Sequence, residues 1–128
     1  MSAKFPKYHR LDSLKTISEL FRHGNAFTIY PFKIIILKTN SEEPVPIQVL
    51  ISVPKRNVKK AVQRNHIKRL VREVYRTNNQ TLLYKATECH QHYAMAIIFI
   101  GTQLPVYDEV ESKLKIAINK LINNYISL

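Results

Sequence analysis

Two glycines, one cysteine and no tryptophan occur among 128 residues. With so little glycine the chain cannot build a loop that cradles phosphate through its backbone N–H groups, because such loops need several residues free of a side chain. Cys89 has no second thiol to pair with. A disulfide framework is thereby excluded and a reducing, cytoplasmic setting is expected. At this length one domain buries about two thirds of the surface its unfolded chain exposes, so no such staple is required. Long apolar runs are missing too: none approaches the roughly 20 residues that span a bilayer. The opening residues, MSAKFPKYHRL, are basic and carry no apolar signal core. Acids are scarce, with 9 Asp and Glu against 20 Lys and Arg and a net charge of +11. That balance favours polyanions as partners, nucleic acid above all.

The positive charge is concentrated between Val53 and Arg76, VPKRNVKKAVQRNHIKRLVREVYR. This stretch holds Lys55, Arg56, Lys59, Lys60, Arg64, Lys68, Arg69, Arg72 and Arg76 against one acid, Glu73. At about 100° per residue, Asn65, Lys68, Arg69, Arg72 and Arg76 fall on one helical face, and Ile67, Leu70, Val71 and Val74 on the opposite one. One face is suited to burial and the other to anions. A helix that needed only solubility would interleave Glu with Lys at a spacing of four. Here Glu73 has Arg69 at that spacing, in the less favourable order, while Lys60, Arg64, Lys68, Arg72 and Arg76 repel one another in sequence. A bound polyanion would relieve that repulsion. An anionic membrane surface would call for bulky aromatics opposite the cations, and the medium aliphatics found there suit a protein core instead.

The remainder reads as one domain, 1–128, with residues 1–10 as a basic tail around Phe5 and Tyr8. Leu11 to His23 has the pattern of a short helix, capped by Asp12 or Ser13, with Leu14, Ile17 and Phe21 on one face. Gly24 stands where a left-handed C-terminal residue is wanted. Phe21 is either a core ring or a partly exposed ring on which a base could stack. The β-branched run Phe27 to Leu37 predicts strand, which Pro31 splits in two or holds at an edge or bulge. After an acidic loop at 40–46, Ile47 to Val53 alternates as a second strand, Pro54 ends it and Asn57 can cap the basic helix. Asn78-Asn79 closes that helix, and the polar stretch to His92 carries no assigned element. Tyr93 to Ile100 is apolar on both faces, as in a strand covered by helices. A last helix, about Tyr107 to Tyr125, has Val110, Leu114, Ala117, Ile118 and Leu121 at core spacing. The order helix, strands, basic helix, strand, helix predicts an α+β (α/β) sandwich of one sheet packed by helices.

Candidate catalytic groups are few. Cys89-His90-Gln91-His92 offers metal-ligand types, but zinc sites need four ligands, usually as two separated pairs. His90 and His92 as an acid–base pair would lie some 6–7 Å apart in a strand, with no lysine or acid set beside them. Asp108, Glu109 and Glu111 sit where a helix N-terminus favours acids without any cation. No catalytic residue and no metal site is assigned, so the function expected is binding.

Read residue by residue, the basic helix resembles the signature of the bacterial ribonuclease P protein subunit, approximately A-V-x-R-N-R-x-x-K-R-x-x-R. Here it stands as Ala61-Val62-Gln63-Arg64-Asn65-His66-Ile67-Lys68-Arg69-Leu70-Val71-Arg72. Arg10-Leu11, Leu20-Phe21-Arg22-His23-Gly24 and Ser52-Val53-Pro54-Lys55-Arg56 echo other parts of the family pattern. The resemblance implies an αβββαβα, ribosomal-protein-S5-domain-2-like fold with a left-handed βαβ crossover, against the usual right-handed rule. It implies an accessory subunit of a ribonucleoprotein endoribonuclease, whose catalytic RNA uses Mg²⁺ to remove 5′ leaders from precursor tRNA. The protein itself would need no cofactor, no membrane and no protein partner.

By the same resemblance, Lys55, Arg56, Lys60, Arg64, Asn65, His66, Lys68, Arg69, Arg72 and Arg76 would face the RNA subunit. Arg10, Ile17, Phe21, Phe32, Ile35, Ser52 and Arg56 would line a cleft for the leader. Three departures stand out: His66 replaces the second arginine of R-N-R, Ile17 stands where an aromatic is frequent, and Pro54 replaces a serine. Two other readings compete on charge alone. A ribosomal or RNA-chaperone protein of similar fold would show the same basic face, and a DNA-binding protein would use the helix for recognition in a groove.

Overall fold

Two apolar stretches, the doubly hydrophobic run before Gly101 and the alternating one before Pro54, lie side by side in one sheet, the first within it and the second at its edge. The structure, a computed structural model, describes residues 9–126; of the basic tail expected at 1–10, residues 1–8 lie outside the described residues. In chain order the elements are α1 (Leu14–His23), β1 (Asn25–Ile29), β2 (Phe32–Thr39), β3 (Ile47–Ser52), α2 (Ala61–Asn78), α3 (Gln80–Glu88), β4 (His92–Phe99) and α4 (Tyr107–Asn124). The strands form one sheet in the order β1-β2-β4-β3. β2 pairs antiparallel with both β1 and β4, and β3 pairs parallel with β4. The return from β3 to its parallel neighbour is made by α2 and α3, as a parallel pair requires.

β4 is buried on both faces, and the two faces differ. Tyr93, Met95, Ile97 and Phe99 join Phe32, Ile34, Ile36, Ile47 and Val49 in the main core, closed by Ile67, Val71 and Val74 of α2, Leu82 of α3 and Val110, Leu114 and Leu121 of α4. Ala94 and Ala96 point the other way, into a smaller cluster with Ile35, Leu11 and Leu20 of α1. Alanines there let the helix lie close to the sheet. Helices thus cover both faces, three on one and α1 on the other, which matches the α+β sandwich expected.

Several local expectations hold in one of the forms left open. Ser13, rather than Asp12, caps α1 by accepting from the Thr16 N–H at 3.3 Å. Pro31 splits the first β run into β1 and β2. Four expectations are corrected. α3 arises within the stretch to which no element was assigned; it buries only Leu82 and Ala86, too few apolar positions to show a helical period. The N-cap of α2 is Lys60, not Asn57, whose side chain instead donates to the Phe99 carbonyl at 3.4 Å and ties the loop before α2 to the end of β4. Leu14 is 82% exposed, so the face of α1 that seats on the sheet is that of Leu20. Gly24 is extended (φ −70°, ψ 156°), so no left-handed residue ends α1.

Glycine is required at that position for room. A Cβ on Gly24 would come within 2.5 Å of the Leu20 carbonyl oxygen and 2.6 Å of Ile35 Cγ2. Gly24→Ala is therefore expected to destabilise the fold by about 1–3 kcal/mol through overpacking, read as a fall in the urea midpoint with the slope unchanged.

Candidate nucleic-acid interface

α2 is the more polar of the two long helices, and its apolar positions account for its seat. Ile67, Val71, Val74 and Tyr75 are buried against the sheet and α4. Burial pushes the Tyr75 phenol pKa well up, while a hydrogen bond with Asn79 pulls the other way. Asn65, His66 and Arg69 are left exposed, with Lys68 and Arg72 half-buried beside them. Lys55, Arg56, Lys59 and Lys60, in the loop leading to α2, are exposed as well. The one acid of α2, Glu73, is held by Arg76 at 2.7 Å rather than by Arg69. Lys68, Arg69 and Arg72 have no acidic partner on their own helix.

Two of the predicted cations are employed inside the protein. Arg64 sits one residue, about 100°, round the helix from Asn65, toward the buried side. Its Nη1 donates to the Val58 carbonyl at 3.0 Å and to the Lys59 carbonyl at 2.8 Å, fastening the loop ahead of the helix. Arg76 is engaged by Glu73, which raises its pKa above the ordinary value through the hydrogen bond.

The predicted cleft divides by face. Residues 10 and 11 run along the outer edge of β3, where Arg10 bridges to Val49 in parallel and the Leu11 N–H donates to the Val49 carbonyl at 2.9 Å. A hollow of about 260 Å³ opens there, lined by Arg10, Asp12, Leu50, Ile51 and Arg72. Burial, and then repulsion from Arg10 and Arg69, lowers the Arg72 pKa, yet a guanidinium remains charged at neutral pH. Arg10 of the cleft set and Arg69 and Arg72 of the helix set are thus close enough to feel one another. They form a cationic ridge on the β3 edge between the two faces.

On the α1 face, Ile17 packs with Leu50 and Ile98 against the Leu20 cluster. Phe21 is 49% exposed, which decides for the partly exposed ring. Leu14, Ile17 and Phe21 share one flank of α1; Thr16 and Glu19 occupy the other, where they line a polar hollow of about 480 Å³ with Leu37, Gln48 and Ala94. Ser52 is half-buried on this face of β3, and Ile35 is 6% exposed beneath α1. Phe32 does not belong with them. It is 0% exposed on the opposite face, in the main core, with its ring edge-on to Phe99 at 5.8 Å between centroids. The strand period of two explains it: Phe32, Ile34 and Ile36 point to one face, Lys33, Ile35 and Leu37 to the other. That parity excludes Phe32 and brings in Lys33, which sequence reasoning overlooked.

Among the described residues no group of three or more His, Cys, Asp or Glu could hold a metal ion. No helix among them is long and apolar enough to cross a membrane.

Fold and surface together define a single-sheet α+β protein with a cation-bearing crossover helix. The ribonuclease P family model matches residues 5–121, and the chain belongs to the ribonuclease P protein family. The ribonuclease P protein component of Porphyromonas gingivalis (strain ATCC 33277) is 30% identical over 118 residues, covering 92% of this chain and 86% of that one. The Staphylococcus aureus RNase P protein superposes with a TM-score of 0.69 at 18% identity, over 93% of this chain and 98% of that one. The Thermotoga maritima RNase P protein gives 0.67 at 20% identity, over 87% and 96%. Family membership ties the chain to an endoribonuclease complex and to tRNA processing.

The internal bonds of Arg64 set it apart from its neighbours. Arg64→Ala is expected to cost about 1 kcal/mol in unfolding free energy, discounted from the usual range for charged hydrogen bonds because the group is half-exposed. Arg69→Ala should change it by less than about 0.5 kcal/mol. Equal values in chemical denaturation would show that the Arg64 bonds to the loop do not hold in solution.

Proposed function

We propose that this protein is the RNA-binding accessory subunit of ribonuclease P. The exposed side of α2, with the loop from Lys55 to Lys60, docks on the catalytic RNA, and the flank of α1 over β3 and β4 receives the 5′ leader of precursor tRNA. The RNA performs the cleavage with its own Mg²⁺, and the protein supplies no metal, cofactor or catalytic side chain. The complex works in the cytoplasm and needs neither a membrane nor a further protein. The observation that carries this reading is the charge arrangement of α2, whose only acid is bound to Arg76, leaving Lys68, Arg69 and Arg72 with no acid on their helix.

Physical chemistry supports the division of labour. Phosphate contacts by Lys and Arg give affinity without reading sequence, and folded RNA is recognised by its shape. Single strands are held by stacking in a positive groove; the half-exposed Phe21 on α1 offers a ring for stacking, and Arg10 and Arg72 at the β3 edge offer positive charge. Within the contact set, Asn65, His66, Lys68, Arg69 and Arg72 have the strongest claim. Arg64 and Arg76 contribute less, because part of their hydrogen-bonding capacity is used internally.

At low Mg²⁺ the protein should restore precursor tRNA cleavage by the catalytic RNA. A ribosomal or chaperone protein of similar fold would not, and absence of stimulation would overturn the assignment. Arg69→Ala combined with Arg72→Ala should weaken assembly with the RNA and reduce the magnitude of the log–log salt slope by up to about 0.9 per lost phosphate contact. An unchanged slope would show that this face does not meet phosphate.

A further inference from the structure

The α1-facing side of the sheet is nearly free of charge. By register it presents Ala26 and Thr28 from β1, Lys33, Ile35, Leu37 and Thr39 from β2, His92, Ala94, Ala96 and Ile98 from β4, and Gln48, Leu50 and Ser52 from β3. Lys33 is the only lysine or arginine in that set, and it is exposed. It lies opposite Ile98, which lies opposite Ser52, so the three form one row across β2, β4 and β3. Ile98 of this row packs against the small cluster around Leu20, as do Leu50 of β3 and Ile17 of α1, while Thr16 and Glu19 line the hollow on the other flank of the helix.

Beyond the β3 end of this row, on the outer side of Val49 to Ile51, is the ridge of Arg10, Arg69 and Arg72; at the other end, two strand spacings or about 10 Å from Ser52, is Lys33. Between them the floor is Ile98, Leu50 and Ser52, apolar except for one hydroxyl. We propose that Lys33 is a phosphate-contact residue for the leader, at the end of the cleft remote from α2. Resting on the leader reading above, it gives the groove a cation at each end and an apolar floor between them for bases. A leader whose origin is held by RNA docked on α2 enters over β3 and meets Lys33 only after crossing β4. Lys33 therefore acts on the distal part of the leader and sets how much of it the protein grips.

The test uses the assembled complex of catalytic RNA and protein, with precursor tRNAs bearing a long leader, a leader of one or two nucleotides, or none. Lys33→Ala should weaken long-leader binding roughly threefold to tenfold and lower the salt slope by about 0.7, the single-strand value for one contact. It should leave the short-leader and leaderless RNAs, the assembly of the complex and the unfolding temperature unchanged, and Lys33→Arg should restore the affinity. Phe21→Ala serves as the control for the cleft itself. If Phe21→Ala weakens long-leader binding and Lys33→Ala does not, the role of Lys33 is wrong and the cleft stands. If neither variant affects long-leader binding, the cleft reading falls and Lys33 with it.

Discussion

Everything in this molecule depends on the burial of β4 on both faces. An eight-residue strand with apolar side chains on either side cannot stand at a surface, so each face must be covered. The larger side chains, Tyr93, Met95, Ile97 and Phe99, call for a thick layer, which α2, α3 and α4 supply. The alanines, Ala94 and Ala96, accept one closely laid helix, and α1 ends where Gly24 leaves room against Ile35. Because β3 pairs parallel with β4, the chain between them must cross over, and the basic helix α2, followed by α3, makes that crossover. Packing thus decides where the charge goes.

Two surfaces with different physical characters result. The outer side of α2 is cationic, its one acid, Glu73, being held by Arg76, and it suits a polyanion. The flank of α1 carries a half-exposed aromatic, Phe21, on the side of the sheet that bears little charge. They lie on opposite faces of the sheet and meet at the β3 edge, where Arg10 from the N-terminal segment approaches Arg72 from α2. Like charges so placed repel one another, and that repulsion, with burial, lowers the Arg72 pKa.

How much of this was legible in the sequence varied with the strength of the local pattern. α2 was plain because its apolar and basic residues separate at the helical period over several turns. β4 and α4 were plain for the same kind of reason, one as an unbroken apolar run and the other through Val110, Leu114, Ala117 and Leu121. α3 was hidden because two buried residues set no period. In Phe32–Thr39 apolar residues occupy both parities, so only the pairing with β4 tells the face of Phe32 from the face of Ile35. Arg64 reads as one more cation of the signature, and its bonds to the loop carbonyls show only when that loop is folded back on the helix. The role of Gly24 was likewise a tertiary matter, since the clash it avoids is partly with a residue of β2.

As proposed, docking and substrate contact are divided between the two faces of one sheet. Cys89 is buried, so a single cysteine placed on the surface can carry a radical-generating probe without competition from the native thiol. In the assembled complex with precursor tRNA, a probe at Arg69→Cys should cleave the catalytic RNA and spare the distal leader, and a probe at Phe21→Cys should cleave the leader. Cleavage of the same RNA segments from both positions would contradict the account.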